Sequence, residues 1–342
     1  MDFGMFTEFH VRDRKTQHDA IVEHLDEVVY AEEMGLDSVW MAEYHFAPQR
    51  SVLSSPFSIG SAIAARTERI RIGGSVFVVP LINPLRLAED AAILDHISNG
   101  RFEFGIGRSG LTMFYEGFGM DYGESRDRFF EGLEIVLKAW GNETFSHHGQ
   151  YWDFDDVTIV PKPYQQPHPP IRAAVVSPET FALYGKMGYS ISFFAADTIP
   201  NLKKSLQEYR SAWKEAGHPG DGDANVRVPV YVAETAEQAR AEPEKSFRHQ
   251  QAYDNRVTAR FAPNNRFAEI IREMAAQSYD DALSTMLIYG TPEAVTERIQ
   301  EYREETGISG LIMEFNHGGH IPFDRVKNSM RLFSEKVIPN FK

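Results

Sequence analysis

Short apolar runs alternate with stretches of helical period along most of the chain. "FGMF" (Phe3 to Phe6) reads as a strand. Ile21, Leu25, Val28, Val29 and Met34 then line one helix face, and Gly35 stands where a helix-ending glycine belongs. "DSVWMA" is a second strand. Ser55-Pro56 opens a helix with a capping hydroxyl and a proline in the first turn, and Ile59, Ile63 and Ala64 share a face. "IRIGGSVFVV" reads as a third strand. Asn83-Pro84 repeats the cap-then-proline signal ahead of Leu87, Ala91, Leu94 and Ile97. Gly100 closes that helix and "RFEFGIG" is the fourth strand.

The second half keeps the rhythm. A helix is predicted through "SRDRFFEGLEIVLKAW", then a polar hairpin over about 145–170 that ends in the extended connector "PKPYQQPHPP". "IRAAVV", "YSISFF" and "NVRVPVYVA" are the fifth to seventh strands, with helices "PETFALYGKM" and "IPNLKKSLQEYRSAWKEAG" between them. "TPEAVTERIQEYREETG" is a capped helix, "SGLIMEF" the eighth strand and "DRVKNSMRLFSEKVIP" a closing helix. Eight strands, each followed by a helix, predict the α/β class and a parallel (β/α)8 TIM barrel. Insertions are expected after the fourth strand, in the region of the fifth and after the seventh. Residues 242–284 break the pattern. They are polar, with "ARFAPNNRF" in the middle, and read as a partly helical, mobile insertion.

Bulk properties narrow the function. At 342 residues the chain fits one barrel domain over 1–342, since such barrels run past ~250 residues. A formal charge of −14 repels phosphate backbones and anionic lipid, so nucleic acid and membrane are not expected partners. "SVFVVPLI" falls far short of the ~20 apolar residues that a span needs. The chain has no cysteine, which removes disulfides, thiolate metal sites and cysteine nucleophiles together. With no basic, then apolar, leader at the N-terminus, a cytoplasmic location is expected.

In a barrel, the C-terminal strand ends carry the chemistry. "WMAEYHF" leaves the second strand and places Glu43, Tyr44 and His45 at the mouth. Glu8 and His10 follow the first strand, Arg108 and Ser109 the fourth, Ser177 and Thr180 the fifth, and Glu314 and Asn316 the eighth. Any one of these reads as a structural hydrogen bond; their recurrence at several strand ends points to a site. In "VVSPET" a strand ends, Ser177 caps, Pro178 takes the first turn and Thr180 follows. This is either an ordinary cap or an anion site at a helix start. "GIGRSG" misses the dinucleotide fingerprint. His147-His148 reads as solvated surface. "HGGH" (His317 to His320) reads as a loop with no third ligand spaced to fit, so no metal is expected.

Six segments together resemble the bacterial luciferase-like family of flavin-dependent monooxygenases: "GLDSVWMAEYHF", "INPLRLAEDAAILDHISNGRFEFGIGRSG", "FGMDYGESRDRF", "PYQQPHPPI", "YGTPEAV" and "GISGLIMEF". The resemblance covers nearly the whole chain. It implies a barrel, usually dimeric, that binds FMN at its mouth. Carried over by position, Glu43 sits beside the flavin with His45 on the same loop. Ser75-Val76 matches the place of a non-prolyl cis peptide under the isoalloxazine ring. Arg108, with Ser109 beyond it, approaches the FMN phosphate, and Ser177 and Thr180, following Val176, bind it. The chain departs from luciferase catalytic subunits at three places. Tyr44 stands where they carry His, Gly107 where they carry a reactive Cys, and Val176 where a Glu lies near the phosphate. Light emission and aldehyde oxidation are therefore not carried over.

The expected activity is that of a two-component monooxygenase. Reduced FMN comes from a separate, transiently bound flavin reductase, since no second cofactor domain is visible. With O2 it oxygenates a mainly apolar organic substrate through a flavin peroxide. His45, Tyr44 and Glu43 are the catalytic candidates, with His45 and Tyr44 managing protons. Ser75, Val76, Arg108, Ser109, Val176, Ser177 and Thr180 are the cofactor candidates. The aromatic residues Phe46, Phe77, Phe114, Tyr115 and Phe118 either line the site or pack its loops. The segment from Tyr253 to Phe267 is a candidate lid. A deazaflavin-dependent oxidoreductase, a non-catalytic flavin binder and a barrel hydrolase pairing Glu43 with Glu314 are the alternatives.

Overall fold

A computed structural model describes residues 1–195, 198–261 and 266–342. Eight parallel strands close on themselves: β1 (Asp2–Thr7), β2 (Ser38–Met41), β3 (Arg71–Gly74), β4 (Phe102–Gly107), β5 (Ile171–Val175), β6 (Ser190–Phe194), β7 (Ala224–Val232) and β8 (Gly310–Glu314). Each pairs with its successor, and β8 returns to β1 with Phe3 opposite Leu311. Every residue of β2, β4 and β8 is buried, as expected of strands covered on both faces.

The helices run outside: α1 (Gln17–Glu33), α2 (Pro56–Ala64), α3 (Pro84–Ile97), α4 (Thr112–Gly117), α5 (Ser125–Gly141), α6 (Pro178–Met187), α7 (Ile199–Glu215), α8 (Ala236–Phe261), α9 (Arg266–Ala276), α10 (Tyr279–Thr285), α11 (Pro292–Thr306) and α12 (Phe323–Leu332). Local sequence explains their ends. Thr16 and Asp19 form a reciprocal capping box on α1, and Gly35 beyond its C-cap takes φ +81°. Asn83 caps α3 by accepting from the Leu85 and Arg86 amides. Ser55 does not cap α2 as the sequence predicted; its hydroxyl meets Ser58 Oγ at 2.8 Å instead.

Two elements differ from the sequence pattern. The predicted third strand is broken: β3 stops at Gly74, Ser75–Val76 is a cis peptide, and only Phe77–Val78 resumes pairing, now with β4. A three-residue strand, Ile288–Gly290, pairs with the upper end of β7 and was too short to stand out. The antiparallel hairpin (Phe145–His148 with Asp153–Val157) lies between β4 and β5, whereas β5 reaches β6 through α6 alone. The hairpin's His147 is buried against Glu131 rather than solvated, and His148 is exposed. The stretch after β7 contains α8, α9 and α10; the "PNN" of its midsection lies outside the described residues. α8 is tied to the "HGGH" loop: Ser246 Oγ donates to the His317 carbonyl at 2.6 Å and accepts from the His320 amide at 2.8 Å. Gly318 there takes φ +85°, and any Cβ on it would run into the Ser246 carbonyl.

Candidate active site

The barrel mouth holds a cavity of about 350 Å³. Glu43, Tyr44, Ser75, Val76, Arg108, Ser109, Val176, Ser177 and Thr180 all line it. His45 does not. Its ring lies behind the wall, edge-on to Phe114 and Phe118, while its Nε2 meets Glu43 Oε1 at 2.7 Å. Glu43 is the joint of this wall. Its Oε2 accepts the Val78 amide at 2.9 Å, so one buried carboxylate ties the loop after β2 to the corner after β3. The Ser75 amide adds a second tie, donating to the Met41 carbonyl at 2.7 Å.

Tyr44 faces the cavity beneath the Arg50 guanidinium, 5.7 Å from its ring centroid. Burial, reinforced by the Glu8 carboxylate, pushes its phenol far above the ordinary tyrosine range. The phenol therefore keeps its proton. Of the aromatic candidates, Phe114 lines the cavity, Phe77 and Tyr115 are core, and Phe46 and Phe118 are exposed neighbours 5.1 Å apart.

Gly107 ends β4 beside Val76. A Cβ added there would stand 2.5 Å from Val76 Cγ2. Gly107→Ala is therefore expected to drive Val76 into the cavity and weaken flavin binding about tenfold, the scale of modest overpacking. Titration of the variant with FMN checks this; unchanged affinity would show that Val76 does not border the ligand.

The far end is formed by the start of α6. Ser177 occupies the N-cap of α6 without capping it, and the Thr180 hydroxyl donates back to the Ser177 carbonyl at 2.6 Å. Glu179 fills the helix start instead. Bonds from the Ser177 hydroxyl and its own backbone amide lower its carboxyl below the ordinary value. That carboxylate stands where an anionic ligand would. Arg108 is close by, donating to Ser125 Oγ at 3.1 Å. The cavity thus runs from Val76 and Gly107 at one end to the start of α6 at the other.

A second cavity of about 60 Å³ shares Glu8, Tyr44, Phe194, Arg227 and Phe267 with the first and continues it beneath α8 and α9. Its floor is a buried ion network. Glu8 pairs with Arg50 and with His10 at 3.1 Å; Arg227 pairs with Glu314 at 2.9 Å, and His317 meets Glu314 at 3.1 Å. Sequence reading placed Glu8 and Glu314 at the mouth but missed Arg50, Arg227 and Asp254. Arg227 had a signal, a charge inside the apolar alternation of "NVRVPVYV". Glu8, His10 and Glu314 bring ligand atoms within 4.8 Å of one another, but the two guanidiniums already hold both carboxylates. Glu314 belongs to this side chamber and Glu43 to the main cavity, so the pair does not serve the hydrolase alternative.

The luciferase-like monooxygenase family matches residues 1–310. The chain belongs to this family. Among curated relatives of this luciferase-like chain, the oxygenase component of flavin-dependent trigonelline monooxygenase from Acinetobacter baylyi is 27% identical over 357 residues, covering 100% of this chain and 96% of the relative. The oxygenating constituent of 3,6-diketocamphane monooxygenase from Pseudomonas putida, solved with FMN, superposes with a TM-score of 0.86 at 21% identity, covering 100% and 99% of the two chains. An F420-dependent secondary alcohol dehydrogenase superposes at 0.79 with 18% identity and the same coverages. At those identities the two structures speak for the fold.

Proposed function

We propose that this luciferase-like chain is the oxygenase of a two-component system that takes reduced FMN from a separate reductase and oxygenates an organic substrate with O2. The observation that carries this reading is the cavity itself: nine of the ten residues expected from the sequence line one continuous space, with a close glycine under one end and a helix start at the other. Reduced flavin supplies two electrons for the activation of O2. The protein's residues do the rest. Glu43 and His45 hold the wall in place, and Tyr44 donates a hydrogen bond toward the reacting atoms. Phe114, Phe194 and Phe267 keep water out. Ser177, Thr180 and Arg108 hold the phosphate, and the segment from Tyr253 to Phe267, of which 262–265 lie outside the described residues, is the lid, with Phe267 lining the cavity. The active form is a homodimer, and the substrate body is mainly apolar.

Titration with FMN, riboflavin and a deazaflavin, each oxidised and anaerobically reduced, tests the proposal. Reduced FMN is expected to bind tightest. Deazaflavin binding in its place would transfer the chain to the deazaflavin oxidoreductases, and no binding of any of them would remove the flavin reading. Glu179→Gln removes a carboxylate from the anion position, so FMN affinity is expected to rise several-fold with riboflavin affinity unchanged. Equal changes for both ligands would place the phosphate elsewhere.

A further inference from the structure

Among the described residues, the side chamber contains one acceptor without a partner, beside a carboxylate held only by a neutral amide. Gln250 and Asp254 sit one turn apart on α8, are 7% and 9% exposed, and both line the chamber. The Gln250 amide nitrogen donates to both Asp254 oxygens at 2.9 Å. The Gln250 carbonyl oxygen has no hydrogen-bond partner among the described residues. Asp254 itself has an amide for a partner where Glu8 and Glu314 have guanidiniums. A buried carboxylate in that position is incompletely compensated.

The charge count agrees. Three carboxyls (Glu8, Glu314 and Asp254) border the chamber against two guanidiniums, Arg50 and Arg227, with the His317 imidazole beside Glu314. Those guanidiniums pair with Glu8 and Glu314 through their Nη2 atoms, while the Nε atoms of both have no hydrogen-bond partner among the described residues. The carboxyls exceed the guanidiniums by one, an excess complementary to one added cation. One water needs about 10–15 Å³ of such space, so about 60 Å³ admits an ammonium head and not a ring.

We propose that the side chamber is a subsite for a protonated amine, in which Asp254 and Gln250 bind the ammonium group of a substrate whose apolar body lies in the main cavity. This rests on the flavin-monooxygenase reading for the use made of the main cavity, but not for the chemistry of the subsite. It narrows the substrate class from any apolar molecule to apolar amines. Burial raises the Asp254 carboxyl to about 6, opposed by Arg50 from the loop after β2, Gln250 on the same helix and His317 after β8, and assisted by Glu8 at the end of β1. Amine binding then weakens as pH falls through about 6, because the protonated acid no longer complements the cation.

Benzylamine and its uncharged counterpart benzyl alcohol are suitable probes, with phenylacetate as the anion. Binding is read by calorimetry on the full-length protein, with and without FMN. Benzylamine is expected to bind at least about tenfold more tightly than benzyl alcohol at pH 7.5, the scale of one charge-assisted hydrogen bond. Its affinity is expected to fall about tenfold by pH 5. Asp254→Asn should abolish the preference and its pH dependence, and Gln250→Leu should reduce it, both without change in FMN affinity, which also reports that the variants fold. Equal affinity of amine and alcohol, a preference for phenylacetate, or a preference that survives Asp254→Asn would overturn the inference. If FMN fails to bind while the amine preference holds, the flavin reading falls and the subsite stands.

Discussion

Glu43→Ala is expected to lower affinity for reduced FMN about 10²-fold, while Glu43→Gln keeps most of it. The alanine leaves the buried Val78 amide without an acceptor and His45 without a partner. An unpaired buried donor costs ~1–3 kcal/mol and a lost charge-assisted bond ~1.5–3 kcal/mol, which together reach that scale. Glutamine can still accept from Val78 while donating to His45, so it preserves the junction without the charge. Flavin fluorescence titrations of both variants separate the two contributions. If glutamine proves as damaging as alanine, the negative charge beside the flavin matters and the wall geometry does not.

Arg50→Met is expected to cost ~3–5 kcal/mol of stability, the usual penalty for removing one partner of a buried ion pair. Burial alone would raise the Glu8 carboxyl, but Arg50, with help from the His10 hydrogen bond, holds it down at about 2. A carboxyl depressed in this way adds stability that is fully present above its unfolded value of ~4.3 and is lost as pH falls from there toward 2. Without Arg50 the buried Glu8 prefers its protonated form. The deficit of the variant should therefore be largest at neutral pH and shrink as pH falls toward 4. Equilibrium urea unfolding at several pH values reads this, and Glu8→Gln combined with Arg50→Met should recover part of the loss. A deficit independent of pH would mean that the packing of Arg50 over the Tyr44 and Tyr253 rings, rather than its charge, was what the protein lost.

The barrel was legible because fully buried strands leave continuous apolar runs and their helices leave capped, periodic ones. "NPLRLAEDAAILDHI" gave its helix to the residue at its start, since Asn83 and Pro84 both act within one turn. The strand Ile288–Gly290 escaped because three residues have no period. The main cavity was legible wherever a strand end carried its own polar residue. The side chamber was not, because it joins Arg50 and Glu8, 42 positions apart, to Asp254 far along the chain on α8. Long-range ion pairing leaves no local spacing to read. His147 misled for a related reason: two adjacent histidines on a polar hairpin look solvated until Glu131 of α5 is seen to cover one of them.

Phe267 lines both cavities, and its ring rests against Gly110, where any side chain would collide with it. With Tyr44 and Phe194, this ring on α9 forms the aromatic part of the junction between the two compartments. A molecule that occupies both compartments passes this ring, whereas a shorter one on either side meets only one of its edges. What separates the two compartments is therefore aromatic, and what lines the smaller one is charged.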